Sequence, residues 1–391
     1  MSISVHENQK ILASLRWRWG WYALLVIIFF AGGFLLLMEA WRLEDAWRWL
    51  VLSLVVFVYE LWTLWGNLKE NHRAGEETLL PGLGAGNLVS LFRGALIAAL
   101  YGFLFSPAPA GWLTWVPGVL YTVAALVDYI DGALARLTNH ATRLGEILDM
   151  YFDGLGMLAA TALIVQYGQV PVWYLFIGLA RYLFLFGMWL RERLGKRNYP
   201  MPPSVRRRGM AAVQMGFVFV MLWPLFSPPG THVVAYAFGL PLLIGFLWDW
   251  FYVSGVVSSD TIERYSSIKD FILRWVPVGL RLGVLLCALP ALLSAAEQSL
   301  LVQFGWIVLI LVMVGAAGRV ASIAGLIVLG LLQMAAPLAQ VQLMQGILYS
   351  LILLLGTGAF SLWKPEEVLI YQKLGERPLR RFQKVLETET K

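Results

Sequence analysis

The chain has 391 residues, of which 59% are hydrophobic and only 14% are charged, and its formal net charge is +6. An ordinary soluble domain carries about 25% charged residues, so this composition excludes a soluble globular enzyme and a disordered protein. The single cysteine, Cys287, excludes an internal disulfide and a cysteine-built zinc site. The class that remains is an all-α polytopic membrane protein.

Apolar stretches that could form membrane-spanning helices recur along the whole chain. A span needs about 20 mostly apolar residues, and twelve stretches are of this kind. The polar opening at 1–16 predicts either a helix on the membrane surface or a frayed tail. The predicted spans are 19–41, 49–66, 86–106, 112–131, 144–166, 172–191, 210–227, 233–253, 279–296, 301–317, 320–337 and 341–363.

The distribution of polar residues divides the chain into three parts. Residues 1–73 contain the polar opening and two spans, and residues 74–255 contain six spans with nearly all the unusual polar residues. Residues 256–391 contain four apolar, Leu-rich spans and a charged tail. The polar stretch 258–270 is the best linker candidate. We therefore predict a six-helix core with two extra helices before it and four after it.

Lys and Arg are concentrated in alternate loops. The loop at 192–209 and the C-terminal tail are rich in both, whereas the opposite loops carry only Arg42 and Arg48, around the first turn. Positively charged loops stay in the cytoplasm, so both termini are expected there, in a multi-pass protein of the cell (inner or plasma) membrane. Because the basic residues are dispersed along membrane edges, the charge does not predict nucleic-acid binding.

Four aspartates lie where two neighbouring spans meet. Asp128 and Asp131 close the fourth span, and Asp149 and Asp153 fall in the first turns of the fifth. Spacings of three and four residues place each pair on one helix face. A charge deep in the bilayer costs roughly 2.5–3.5 kcal/mol, so four carboxylates require compensation. Divalent cations would supply it, and a two-metal carboxylate site suits displacement at phosphorus. The alternative is that the acids cap helix ends in water and pair with Arg136 and Arg143.

The same segment carries eight residues at fixed spacing, D-x2-D-G-x2-A-R-x8-G-x3-D-x3-D. This pattern resembles the signature of the CDP-alcohol phosphatidyltransferases. Upstream, Asn87, Ser90 and Arg93 are similar to the N-x-x-T-x-x-R stretch of that family, and residues 204–214 are similar to its S-x-x-G-K-x-x-T-x-x-Q stretch. The signature residues are Asp128, Asp131, Gly132, Ala135, Arg136, Gly145, Asp149 and Asp153.

The resemblance implies a membrane enzyme that transfers a phosphatidyl group from CDP-diacylglycerol to the hydroxyl of a small polar alcohol and releases CMP. It implies two Mg²⁺ or Mn²⁺ ions held by Asp128, Asp131, Asp149 and Asp153, with Asp153 as the general base that deprotonates the acceptor. It also implies a cytoplasmic active site and a homodimer, as is common in the family. The nucleotide-binding residues would be Asn87, Asp131, Gly132, Ala135, Arg136 and Gly145.

Arginines on the acceptor side suit a phosphorylated alcohol such as glycerol 3-phosphate or inositol phosphate. Arg181 falls in mid-span, and its alternative role is a structural pair with Glu60. The downstream family stretch departs from the pattern at Arg207 and Ala211, and its basic residues also serve as an ordinary topology signal. Asp249 is predicted to be an interfacial acid rather than an acceptor ligand. The acceptor or phosphate candidates are Arg93, Arg181, Arg191, Arg207 and Arg208.

Three other functions are alternatives to this one. A membrane prenyltransferase also uses paired aspartates with Mg²⁺, but it would take an allylic pyrophosphate and its motifs lack the spacing found here. A CDP-alcohol phosphotransferase could act on a lipid hydroxyl. A transporter with an acidic cation site would predict broken helices and repeat symmetry, and the sequence contains neither.

Overall fold

The computed structural model describes residues 2–73, 75–76, 78–138, 140–201, 205–257, 259–294, 299–335 and 339–363, without some side chains inside these ranges. The described residues form twelve α-helices and no β-strand. The helices are α1 (Ser2–Ala40), α2 (Leu43–Asn67), α3 (Gly84–Tyr101), α4 (Val116–Leu137), α5 (Arg143–Gln166), α6 (Leu175–Arg193), α7 (Val205–Met221), α8 (Gly230–Val253), α9 (Ser259–Ser294), α10 (Leu300–Val314), α11 (Gly318–Ala335) and α12 (Gln340–Leu355).

The helices have the length and composition of a multi-pass membrane protein. Within the described part of the chain, seven helices are long and apolar enough to cross a membrane, and three shorter ones are also apolar. Each of the twelve helices overlaps one predicted span. The prediction of an all-α polytopic membrane protein is therefore confirmed.

The helix that carries the first two motif aspartates differs from its predicted span. The predicted span is 112–131, whereas α4 begins at Val116, after a 3₁₀ turn at Gly111–Trp115, and continues to Leu137. The residues after Asp131 are mostly Ala, Leu and Arg, which favour helix. Asp128 and Asp131 therefore lie inside the helix rather than at its end.

The N-terminus also differs from the expectation of a separate surface helix at 1–16. α1 runs for 39 residues from Ser2 to Ala40 without a break. Its apolar span, Asn8–Ala40, has 33 residues and is about 50 Å long at 1.5 Å per residue, whereas the hydrocarbon core is about 30 Å thick. The polar first turns therefore continue the first span beyond the apolar layer.

The predicted linker at 258–270 is helical from Ser259 onward. It forms the first third of α9, which has 36 residues. The stretch contains neither Gly nor Pro, and polar residues other than these do not end a helix by themselves.

The chain forms two compact units. The first comprises Met1–Gly168 with Val218–Pro224, and the second comprises Gln169–Phe217 with Leu225–Lys391. The first unit contains α1 to α5, and the second contains α6, most of α7, and α8 to α12. The division into 1–73, 74–255 and 256–391 stays a prediction.

In the first unit, the two N-terminal helices share one hydrophobic core with α3, α4 and α5. Leu15 from α1 and Leu64 from α2 are fully buried in the same cluster as Leu91 and Leu144. The Tyr22 hydroxyl of α1 donates a hydrogen bond to the Leu91 carbonyl of α3 at 2.9 Å. α1 and α2 are thus part of the packing that supports the motif helices.

In the second unit, α12 packs against α8, α9 and α11. A buried cluster that includes Val284, Val312 and Tyr349 lies among the last four helices. Arg281 of α9 is buried, and its guanidinium donates to the backbone carbonyls of Ala359 at 2.8 Å and Phe360 at 3.5 Å. These carbonyls are its hydrogen-bond partners in the described structure.

Candidate active site

The four motif aspartates converge in the first unit, on facing helices. Asp128 and Asp131 lie on α4, and Asp149 and Asp153 lie on α5. One carboxylate oxygen from each of Asp128, Asp131 and Asp149 lies within 4.8 Å of the other two. The helical spacing in the sequence predicts this convergence, and the structure confirms it.

Arg93 of α3 lies in the middle of the cluster. Its Nη1 pairs with Asp128, with Asp149 at 2.9 Å and with Asp131 at 3.9 Å, and its Nη2 pairs with Asp153. Only 4% of the Arg93 side chain is exposed. The sequence predicts Arg93 as a phosphate contact, whereas in the structure its guanidinium is bound by the carboxylates.

The four acids differ in depth. The Asp131 side chain is 9% exposed and accepts a hydrogen bond of 2.7 Å from the Ser90 hydroxyl. The Asp149 side chain is 50% exposed, and those of Asp128 and Asp153 are intermediate. The cluster therefore has a closed side at Asp131, supported by α3, and an open side at Asp149.

The chemistry of this donor set fits a divalent cation. Carboxylate oxygens are the ligands that Mg²⁺ and Mn²⁺ prefer. Asp128, Asp131 and Asp149 can turn three such oxygens toward one position, and Asp153 contacts the same guanidinium. The acids do not cap helix ends, because Asp131 is buried and two helices contribute to one cluster. They do pair with an arginine, which is Arg93 of α3. Arg143 pairs with Glu146 instead.

A second polar network lies at the N-terminus of α5. Thr142 is the N-cap residue, and its hydroxyl accepts from the Gly145 backbone N–H at 3.1 Å. The Asn87 amide donates to the Thr142 hydroxyl at 3.0 Å. A Cβ atom at position 145 would stand 2.6 Å from Asn87 Oδ1, so Asn87 itself requires the glycine. Asn87 and Gly145 are both nucleotide-binding candidates, and the structure brings them together.

Asn71, just before the motif helices, is a residue that the sequence analysis missed. Its amide donates to the carbonyls of Leu80 at 3.1 Å and Gly82 at 2.8 Å, and its Oδ1 accepts from Asn87 at 3.4 Å. Asn71 is fully buried. No motif spacing marks it, because its role depends on how the 71–83 loop folds back.

The other acceptor-side candidates lie in the second unit. Arg191 donates to Asn198 Oδ1 at 3.1 Å and to the carbonyls of Arg197 and Ser254. These hydrogen bonds stabilise the segment that follows α6. Arg207 pairs with Asp249 at 3.4 Å.

The remaining predicted site residues are Arg181 and four residues of the family stretches. Arg181 lies on α6 and is half-buried. Both carboxylate oxygens of Glu60 are buried without a hydrogen-bond partner among the described residues. The pairing of Arg181 with Glu60 stays a prediction. The predicted site residues whose surroundings lie outside the described structure are Gly132, Ala135, Arg136 and Arg208.

Comparison with known proteins gives a family for this arrangement. The family model described as CDP-alcohol phosphatidyltransferase matches residues 84–248, a range that includes every motif residue. A protein of Mycobacterium tuberculosis (strain H37Rv) named cardiolipin synthase is 30% identical over 191 residues, which cover 47% of this chain and 86% of that protein.

A second group of relatives matches a shorter stretch. The CDP-diacylglycerol–glycerol-3-phosphate 3-phosphatidyltransferase of Escherichia coli K12 is 32% identical over 117 residues, or 28% of this chain and 62% of that enzyme. The enzyme of the same name from Salmonella choleraesuis is also 32% identical over 117 residues, with the same coverage. No solved structure matches the chain.

Proposed function

Because the chain belongs to the CDP-alcohol phosphatidyltransferase family, and is thus a membrane transferase of phospholipid synthesis, we propose its reaction in more detail. The proposed donor is CDP-diacylglycerol, and the proposed acceptor is the hydroxyl of a polar alcohol, with CMP as the second product. The observation that carries this proposal is the convergence of the four motif aspartates from α4 and α5.

The aspartates have two proposed roles. Asp128, Asp131, Asp149 and Asp153 would hold two Mg²⁺ or Mn²⁺ ions. Such ions, when bound, neutralise pyrophosphate charge and improve CMP as a leaving group. The closed side of the cluster supports this role, because Ser90 fixes the orientation of the Asp131 carboxylate.

Asp153 is the proposed general base. A hydroxyl is a poor nucleophile, and a positioned carboxylate that takes its proton contributes typically 10²- to 10⁴-fold. Asp153 lies one helical turn from Asp149 on α5, and its side chain is partly exposed. It can therefore meet an acceptor that arrives from water while the acyl chains of the donor stay in lipid.

The nucleotide site would be formed by Asn87, Asp131, Gly132, Ala135, Arg136 and Gly145. The contact between Asn87 and the N-terminus of α5 supports this assignment for two of these residues. The alternating loop charges support an active site and both termini in the cytoplasm. A homodimer is proposed from the family resemblance.

The acceptor is proposed to be phosphorylated, with glycerol 3-phosphate as the first candidate, since two relatives are named for that substrate. Arg181, Arg191, Arg207 and Arg208 would be its contacts. A second candidate is a lipid hydroxyl, because another relative, more of whose length is matched, is named cardiolipin synthase.

The test is CMP release by the purified full-length protein with CDP-diacylglycerol and Mg²⁺. The acceptors would be glycerol 3-phosphate, inositol phosphate and phosphatidylglycerol, each compared with a reaction without acceptor. We expect acceptor-dependent CMP in the wild type and its loss in Asp153→Asn. Glu146→Gln is the matched control, because Glu146 lies on the same helix, is exposed and pairs with Arg143 outside the cluster.

Two results would count against the proposal. Absence of CMP with every acceptor, from folded protein, would exclude this donor. Release of inorganic pyrophosphate from an allylic pyrophosphate would instead support the prenyltransferase alternative.

A further inference from the structure

Arg93 has a position that the proposed reaction does not explain. Its side chain is 4% exposed, and its two terminal nitrogens pair with all four aspartates. A buried charge needs compensation, and here one guanidinium is surrounded by acids from two other helices. Arg93 therefore lies among the same carboxylates that would hold a divalent cation.

The charges in the cluster favour either the Arg93 guanidinium or divalent cations among the four carboxylates, but not both at once. Four ionised carboxylates with Arg93 carry a net charge of −3 (one positive minus four negative charges). Two divalent cations would neutralise the four carboxylates alone. Arg93 would then be a positive charge beside two others, and like charges in a low-dielectric site repel strongly.

We propose that Arg93 is an internal counter-cation of the metal site. Its ion pairs hold the four aspartates together in the metal-free protein, and these pairs are exchanged for divalent ions when the ions bind. The inference rests on the proposed function, because it requires that the aspartates are the metal ligands.

The geometry allows such an exchange while the closed side of the cluster, at Asp131, keeps its hydrogen bond to α3. Asp131 keeps its own hydrogen bond from Ser90, and its distance to Arg93, 3.9 Å, is the longest of the four pairs. The Asp149 carboxylate is half exposed, so ions can reach the cluster from the open side. Arg93 and Ser90 lie one turn apart on α3, and only Arg93 has to change partners.

The exchange gives Arg93 a second role. Once the carboxylates are neutralised, its guanidinium has no acid to pair with in the cluster. It is then available for an anionic oxygen, which is consistent with the phosphate-binding role that the sequence predicts for Arg93. The metal-free protein would be closed to such an anion, because the guanidinium is engaged by the carboxylates.

The experiment measures Mn²⁺ binding to the full-length protein in detergent, stripped of metal with EDTA. Free Mn²⁺ is followed by electron paramagnetic resonance, and thermal unfolding is measured with EDTA and with Mn²⁺. We expect Arg93→Met to bind Mn²⁺ at least about tenfold more tightly than the wild type, because the ions no longer displace a guanidinium. In EDTA this variant should unfold at a lower temperature, and Mn²⁺ should raise that temperature more than in the wild type.

Two further variants keep the result interpretable. Arg48→Met is the matched control, because Arg48 pairs with Asp45 at 2.9 Å outside the cluster, and its Mn²⁺ affinity should equal that of the wild type. If Arg93→Met does not fold even with Mn²⁺, Arg93→Lys decides. It keeps one charge but cannot reach several carboxylates with a planar fork, so its affinity should be tighter than that of the wild type.

Unchanged or weaker Mn²⁺ binding in the Arg93 variants, beside normal binding in the wild type, overturns the inference and leaves the proposed function intact. A folded wild type that binds no Mn²⁺ overturns the metal site and the inference together.

Discussion

Two arginines, Arg93 of α3 and Arg281 of α9, are buried inside helices that are long and apolar enough to cross a membrane. Arg93 is compensated by four carboxylates from α4 and α5. Arg281 is compensated by two backbone carbonyls in the segment that follows α12. The two arginine side chains therefore lie in different electrostatic environments.

Under the proposed function, the buried charge of Arg93 serves chemistry, whereas that of Arg281 serves architecture. Carboxylates bind other cations and accept protons, so the partners of Arg93 can exchange and react. Backbone carbonyls carry no net charge and are fixed by the chain. Arg281 therefore holds the segment of Ala359 and Phe360 in place. The following predictions test this contrast.

The largest effect is expected from Asp131→Asn. The amide oxygen can still accept from Ser90, so the protein should fold, but one negative charge of the cluster is lost. We expect CMP release to fall by roughly 10²- to 10³-fold, as for loss of one preorganised electrostatic group. Activity close to wild type would show that the deepest acid is structural, like the partners of Arg281.

Arg281→Met should lower the free energy of unfolding by about 2 kcal/mol, because two part-buried carbonyls lose their donor. Thermal unfolding in detergent measures this change. The turnover of the folded fraction should equal that of the wild type. A selective loss of turnover at normal stability would contradict the architectural role.

Gly145→Ala tests the polar network at the start of α5. Its Cβ would stand 2.6 Å from Asn87 Oδ1, and overpacking of this kind costs about 2 kcal/mol. The control is Gly216→Ala, a helical position where no atom lies within 4 Å of the added Cβ, and it should be neutral or slightly stabilising. Equal shifts of the unfolding temperature in both variants would mean that the network rearranges around the added Cβ without loss of stability.

Ser90→Ala removes the hydrogen bond that supports Asp131. We expect a loss of about 1 kcal/mol in stability, measured by thermal unfolding, and weaker Mn²⁺ binding because the carboxylate is less well oriented. Unchanged Mn²⁺ affinity would show that α3 does not support the closed side of the site.

The smallest effect is expected from Glu146→Gln. Glu146 and Arg143 form an exposed pair at 2.6 Å, and exposed pairs contribute about 0.2–1 kcal/mol. Stability and CMP release should both stay near wild-type values. A large loss of activity would place this acid in the reaction and widen the site beyond the four motif aspartates.

The sequence predicts the twelve helices and the convergence of the aspartates because both depend on local spacing. Hydropathy identifies an apolar helix, and a period of three or four residues identifies its face. Hydropathy does not locate helix ends within polar sequence, which is why α4 passes Asp131 and α9 includes the expected linker. The positions of Arg93 and Asn71 depend on how distant segments meet, and no spacing within one helix encodes them.

The shared core of α1 and α2 with the motif helices limits how the protein can be divided. Leu15 and Leu64, which are fully buried against that core, lie outside the range 84–248 that matches the family model. A fragment cut to that range would lose these two members of the cluster that also contains Leu91 and Leu144, and each leucine that became exposed would cost about 1.5–3 kcal/mol. The two N-terminal helices are therefore part of the folded unit that carries the motif, and the motif helices are not expected to keep their stability without them.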